Sequence, residues 1–114
     1  MGVLTDPQIR AQYVGALSLW NCTGYINWKG PARAFVEREL EAHTIKFIGK
    51  LMYEHVMAGG KIFQVVETRP EWLESKFRYD LYVLIDDREI YLETVLCDDK
   101  PDDCTILVVS AHDP

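Results

Sequence analysis

Along the first half of the chain the apolar side chains recur three or four positions apart, and from residue 61 onward they alternate one by one. The first spacing places side chains on one stripe of a helix, the second on one face of a strand. Ile9, Tyr13, Ala16, Leu17 and Trp20 form the first stripe. Thr5 and Gln8 before it have capping-box spacing, Pro7 fits the first turn, and Asn21 to Gly24 ends the helix. A second helix opens after Lys29-Gly30-Pro31, with Ala32, Phe35, Val36 and Leu40 inward and Glu37, Arg38, Glu39 and Glu41 outward. A break at Ala42 to Thr44 precedes a third, marked by Ile45, Ile48, Leu51, Met52 and Val56 and stopped by Gly59-Gly60. Tyr25 to Trp28 matches neither period, and its state stays open.

Lys61 to Glu67 reads as a strand, and Thr68 to Ser75, with Pro70 and Trp72, as a loop. Phe77 to Ile85 and Arg88 to Leu96 alternate on either side of Asp86-Asp87, which is the clearest hairpin signal. Thr105 to Ser110 is a last strand. The pattern predicts one α+β domain over residues 1–114, with about three N-terminal helices on one face of a C-terminal antiparallel sheet of about four strands.

A two-residue turn at Asp86-Asp87 fixes which side chains face each other. Ile85 meets Arg88, Val83 meets Ile90, Leu81 meets Leu92, Tyr79 meets Thr94 and Phe77 meets Leu96. That face is almost wholly apolar and belongs under the helices, because a one-residue slip would turn it to water. On the reverse, Leu84 opposes Glu89, Tyr82 opposes Tyr91, Asp80 opposes Glu93 and Arg78 opposes Val95. Two carboxylates across a ladder repel, so something must compensate: Arg78 on the diagonal, a shared proton, a metal or a partner's cation. Pairing Cys97 with Cys104 extends the face, setting Val95 against Ile106, Glu93 against Val108, Tyr91 against Ser110 and Glu89 against His112. The reverse face thus gathers Arg78, Asp80, Tyr82, Glu89, Tyr91, Glu93, Ser110 and His112. It reads first as the solvated side of a two-layer fold, and otherwise as a recognition surface.

Composition adds limits. The 114 residues are 48% apolar and 26% charged, ordinary for a globular domain that folds without metal or disulfides. A net charge of −6 opposes a broad nucleic-acid surface. With no signal-peptide pattern, no myristoylation pattern around Gly2 and no membrane-length apolar run, the expected setting is the cytoplasm. Three cysteines fit reduced thiols better than a disulfide framework.

Motif chemistry is sparse. The aspartates between Cys97 and Cys104 lack the calcium-loop pattern, the cysteines lack zinc-site spacing, and neither His43 nor His55 has a ligand neighbour at metal spacing. No metal and no cofactor is expected. Phosphate-loop, nucleophile-elbow and zinc-protease motifs are absent. Lys46 and Lys50 read as an exposed helix face, and Glu67, Arg69 and Trp72 as a strand exit with an internal ion pair.

Two functions follow. The first is a non-catalytic protein-interaction or regulatory module, binding a protein partner or a second copy through Trp72, Arg78, Asp80, Tyr82, Tyr91 and Glu93. The second rests on the order of helices followed by a sheet bearing Glu, Arg and a late His. From about Thr44 to His112 this order resembles the barnase and RelE-type toxin architecture, with no shared motif. That resemblance implies a metal-independent ribonuclease, with Glu67 or Glu93 as general base, His112 as general acid and Arg69 or Arg78 holding the phosphate.

Overall fold

The computed structural model describes residues 2–72 and 76–114, the side chain of Trp72 excepted. Its helices are α1 (Pro7–Ser18), α2 (Gly30–Glu39) and α3 (Ile45–Met57), and the apolar stripes read from the sequence are the faces they bury. Tyr13, Leu17, Ile48 and Met52 are fully enclosed. The cap of α1 is Asp6 instead of Thr5, its carboxylate accepting from the amides of Gln8 at 2.9 Å and Ile9 at 3.1 Å. A carboxylate directly before Pro7 both caps and complements the positive helix end. Helix α1 also stops at Ser18, so Trp20 leaves the core stripe. Thr44 caps α3, and a left-handed Gly59 follows its end. His55 lies in the last turn of α3, where burial holds its imidazole below the usual value.

Among the described residues the strands are β1 (Gly2–Val3), β2 (Ile26–Trp28), β3 (Phe63–Val66), β4 (Phe77–Ile85), β5 (Arg88–Cys97) and β6 (Thr105–His112). They form one sheet in the order β1-β3-β4-β5-β6-β2. The α+β class holds, but the expectation of about four antiparallel strands after the helices needs correcting. The sheet is mixed, since β2 runs parallel to β6, and β1 and β2 interleave with the helices. Most of the segment left open in the sequence, Ile26–Trp28, is thus an edge strand, flanked by bonds to β6 from Ile106 N–H to the Tyr25 carbonyl and from Lys29 N–H to the Val108 carbonyl. A short 3₁₀ turn at Pro70–Trp72 occupies part of the expected loop, and residues 73–75 lie outside the described residues. No helix among the described residues is long and apolar enough to cross a membrane.

The β4–β5 hairpin has the expected register, from Tyr79 opposite Thr94 to Ile85 opposite Arg88. Asp86 and Asp87 both take positive φ, 54° and 63°, as a type I′ turn requires. Leu81, Val83, Ile85, Ile90 and Leu92 lie in the core beneath the helices. Each contributes roughly 1.5–3 kcal/mol by leaving water, which is what defends the register.

The β5–β6 register differs from expectation. Cys97 faces Thr105 and Thr94 faces Val108, one position away from the pairing of Cys97 with Cys104. Ile106 and Val108, placed outward by the sequence reading, are therefore fully buried in the core. A bulge then follows: Glu93 faces Ser110 and Tyr91 faces His112, leaving Val109 as the extra residue. The slip and the bulge cancel in parity, so Ser110 and His112 reach the outer face after all, opposite partners other than those expected. Cys104 has no disulfide and lies against the carbonyls of Lys100 and Pro101.

Candidate functional site

The outer sheet face, turned away from the helices, is built from two rows. The first is aromatic and crosses four strands. Phe63 on β3 meets Tyr82 on β4 edge to face with centroids 5.7 Å apart, Tyr82 meets Tyr91 on β5 at 4.7 Å, and Tyr91 meets His112 on β6 at 4.8 Å. Each ring is brought to its neighbour by strand register: Phe63 faces Asp80, Tyr82 faces Tyr91, and Tyr91 faces His112. Such pairs stabilise a face by about 0.5–1.5 kcal/mol beyond burial.

The second row is charged. Arg78 Nε lies 3.2 and 3.3 Å from the Asp80 oxygens and 3.1 Å from Glu93 Oε2, between the two carboxylates that the register sets opposite each other. Of the compensations open to that repulsion, the structure has Arg78 on the diagonal. Asp80 is fully enclosed, and the Tyr91 hydroxyl also donates to it. Burial pushes the Asp80 carboxyl above its ordinary value, and the donors from Tyr91 and Arg78 oppose that shift. Burial likewise pushes the Tyr91 phenol far up, and the neighbouring Asp80 adds to it.

The row continues to the strand exit. Arg69 binds Glu67 in a fork, Nε to Oε1 at 3.0 Å and Nη2 to Oε2 at 2.9 Å, and Glu67 also accepts from the amides of Thr68 and Arg69. Arg69 holds the Glu67 carboxyl below the usual glutamate range despite its burial. Arg69 Nη1 reaches Glu93 Oε2 at 3.7 Å, which joins the strand exit to the sheet face. On the other side His112 Nε2 stands 3.3 Å from Glu93 Oε1, while Nδ1 donates to the Asp113 carbonyl at 2.9 Å.

Glu67, Arg69, Arg78, Asp80, Tyr82, Tyr91, Glu93 and His112 therefore share one surface, as do Ser110, opposite Glu93, and the exposed Glu89. Trp72 cannot be placed with them, because its side chain lies outside the described residues. Sequence reasoning missed Phe63, whose place in the row depends on the β3–β4 register. It placed Leu84 on this face opposite Glu89 without counting it among the binding residues, and Leu84 is 65% exposed.

Around Arg78, Tyr82, Tyr91, Glu93, His112 and Pro114 the face forms a shallow depression of about 390 Å³. Its charged groups are turned toward each other, and no buried side-chain nitrogen or oxygen among the described residues lacks a partner. No group of three or more His, Cys, Asp or Glu side chains suited to a metal ion occurs among the described residues. No family model, curated protein or solved structure matches the chain.

Proposed function

We propose that the chain is a non-catalytic protein-interaction module whose outer sheet face docks a partner segment carrying a basic side chain. The observation that carries this reading is the aromatic row of Phe63, Tyr82, Tyr91 and His112 lying beside a charge network closed on itself. Half-exposed Phe63 and Tyr82 and exposed His112, packed on a buried Tyr91 next to fixed charges, are what interface anchors need: apolar area held rigid, with polar groups that set orientation. Glu67 and Asp80 are enclosed and already paired, but Glu89 is exposed and Glu93 lines the depression beside Tyr82 and Tyr91, so an arginine or lysine from a partner would meet both a carboxylate and an aromatic ring. A second copy of the same face would bring like charges together, which favours a different partner. The setting proposed is the cytoplasm, in keeping with the three free thiols.

The ribonuclease reading fares worse on geometry. A general base and a general acid must leave room for a phosphate between them, and Glu93 and His112 are in direct contact at 3.3 Å. Both arginines are already engaged by carboxylates.

The test is a screen of displayed random peptides against the chain. Selected sequences should be enriched in Arg or Lys beside an aromatic or aliphatic residue. Their binding should weaken as salt rises and fall tenfold or more in a Tyr82→Ala, Leu84→Asp double variant. Peptides of no common charge would sink the reading, and so would RNA cleavage that disappears in His112→Ala.

A further inference from the structure

The chain has a second concave region on the opposite side of its architecture, where α1 has ended and β2 meets α3. A cavity of about 360 Å³ opens there, within the range of small-molecule sites. Its apolar part comes from Trp20, Ile26, Trp28 and Ile45. Trp20 lines it because α1 stops at Ser18. Gly49 of α3 lets the wall close, since a Cβ there would lie 3.2 Å from Ile26 Cδ1 and 3.6 Å from Trp20 Cβ.

The polar part has one sign. Arg33 of α2 and Lys46 of α3 stand at the cavity, and no Asp or Glu is among its lining residues. Neither cation takes part in an ion pair among the described residues, in contrast to Arg69, Arg78 and Arg88, each held by carboxylates. A third cation is close by: Lys50 Nζ lies 5.9 Å from the Trp20 ring centroid. In a chain of net charge −6, this is a local reversal of potential over aromatic walls. Of the two lysines read from sequence as an ordinary exposed helix face, Lys46 lines the cavity and Lys50 stands beside its Trp20 wall.

We infer that this cavity binds a small planar ligand carrying one oxyanion. The ring would lie against Trp20 and Trp28, and the anion would sit between Arg33 and Lys46. Indole walls supply the area and two unpaired cations supply the polarity, whereas a cationic ligand would be repelled and a neutral one would leave both cations unused. A carboxylate and a phosphate share this chemistry.

The experiment follows the indole N–H signals of Trp20 and Trp28 by NMR as the full-length chain is titrated. The probes are benzoate, phenyl phosphate, benzyl alcohol and inorganic phosphate. Benzoate or phenyl phosphate should shift both indole signals saturably, and whichever binds tighter identifies the anion as carboxylate or phosphate. An Arg33→Ala, Lys46→Ala double variant, altered only at exposed positions, should keep its spectrum elsewhere and bind at least tenfold more weakly. The inference is overturned if benzyl alcohol or inorganic phosphate binds as well as the aromatic anions. It is also overturned if the double variant binds unchanged, or if neither indole signal responds. None of these outcomes bears on the sheet-face proposal, because the two sites share no residue.

Discussion

The Tyr13 hydroxyl on α1 and Thr94 Oγ1 on β5 lie 2.7 Å apart in the middle of the core, both fully buried. The direction of this bond can be deduced. Thr94 Oγ1 lies 2.5 Å from the Tyr79 carbonyl, which only accepts, so the threonine proton goes there and the tyrosine must donate to the threonine. A polar chain thus fastens the first helix to the sheet. Replacing Thr94 by valine keeps the shape but leaves the phenol without a partner, which should cost about 1–3 kcal/mol in denaturant unfolding. Tyr13→Phe in the same chain should recover a large part of that loss. A double variant no more stable than Thr94→Val would show that the bond does not couple the two elements.

Arg78 is the residue on which the outer face depends. Removing it leaves Asp80 and Glu93 opposed with no cation between them, and Asp80 is enclosed. Breaking a buried pair by deleting one partner costs roughly 3–5 kcal/mol, and the residual exposure of Arg78 puts Arg78→Met at the lower end, about 3 kcal/mol. Asp80→Asn added to it should restore stability, because the uncompensated charge is then gone. If Arg78→Met unfolds at the same urea concentration as the parent chain, the network contributes nothing.

Glu67 gives the pH dependence. Its folded carboxyl is held below the ordinary range, chiefly by Arg69, so it favours folding when ionised. That contribution is fully present above the ordinary glutamate range and is lost as pH falls through the lowered folded value. Glu67→Gln turns one acceptor into a donor facing Arg69 and should cost about 2 kcal/mol at neutral pH. The gap between parent and variant should close as the pH of the unfolding series is lowered. A gap that stays constant to low pH would assign the loss to packing instead of charge.

How much of this could be read from residues alone varied with the local signal. The β4–β5 hairpin was legible because nine and ten residues alternate around a turn with only one short geometry. The opposition of Asp80 and Glu93 followed from that register, and Arg78 was one of several compensations open to it; only the structure shows that it meets both carboxylates. Strands β1 and β2 were not legible: two and three residues are too few to show a period, and their pairing is decided by β3 and β6. The cavity beside Trp20 was hidden for a similar reason, because only the early end of α1 separates that indole from the core stripe before it. The β5–β6 pairing misled because Cys97 and Cys104 bracket a loop symmetrically in sequence, whereas the chain closes between Cys97 and Thr105.

The bulge that takes up Val109 is what keeps His112 on the outer face, and a deletion compared with an insertion can establish this. With Thr94 opposite Val108, a regular ladder would set Glu93 opposite Val109 and Leu92 opposite Ser110, turning Ser110 and His112 toward the core and Ala111 away from it. The bulge avoids placing an imidazole and a hydroxyl among Leu92, Ile90 and the helices. Deleting Val109 makes Ser110 follow Val108 directly, so a regular ladder still sets Ser110 opposite Glu93 and His112 opposite Tyr91, and the loss should be no more than the roughly 1–3 kcal/mol of the missing buried side chain. Inserting an alanine after Val109 instead shifts the parity by one and should cost at least about 3 kcal/mol. Equilibrium unfolding of both variants makes the comparison, with the His112 imidazole signal reporting whether the ring still meets Tyr91. An insertion no more damaging than the deletion would mean that the strand end can re-pair freely, and His112 would then owe its position to its contacts with Glu93 and Asp113 instead of to the ladder.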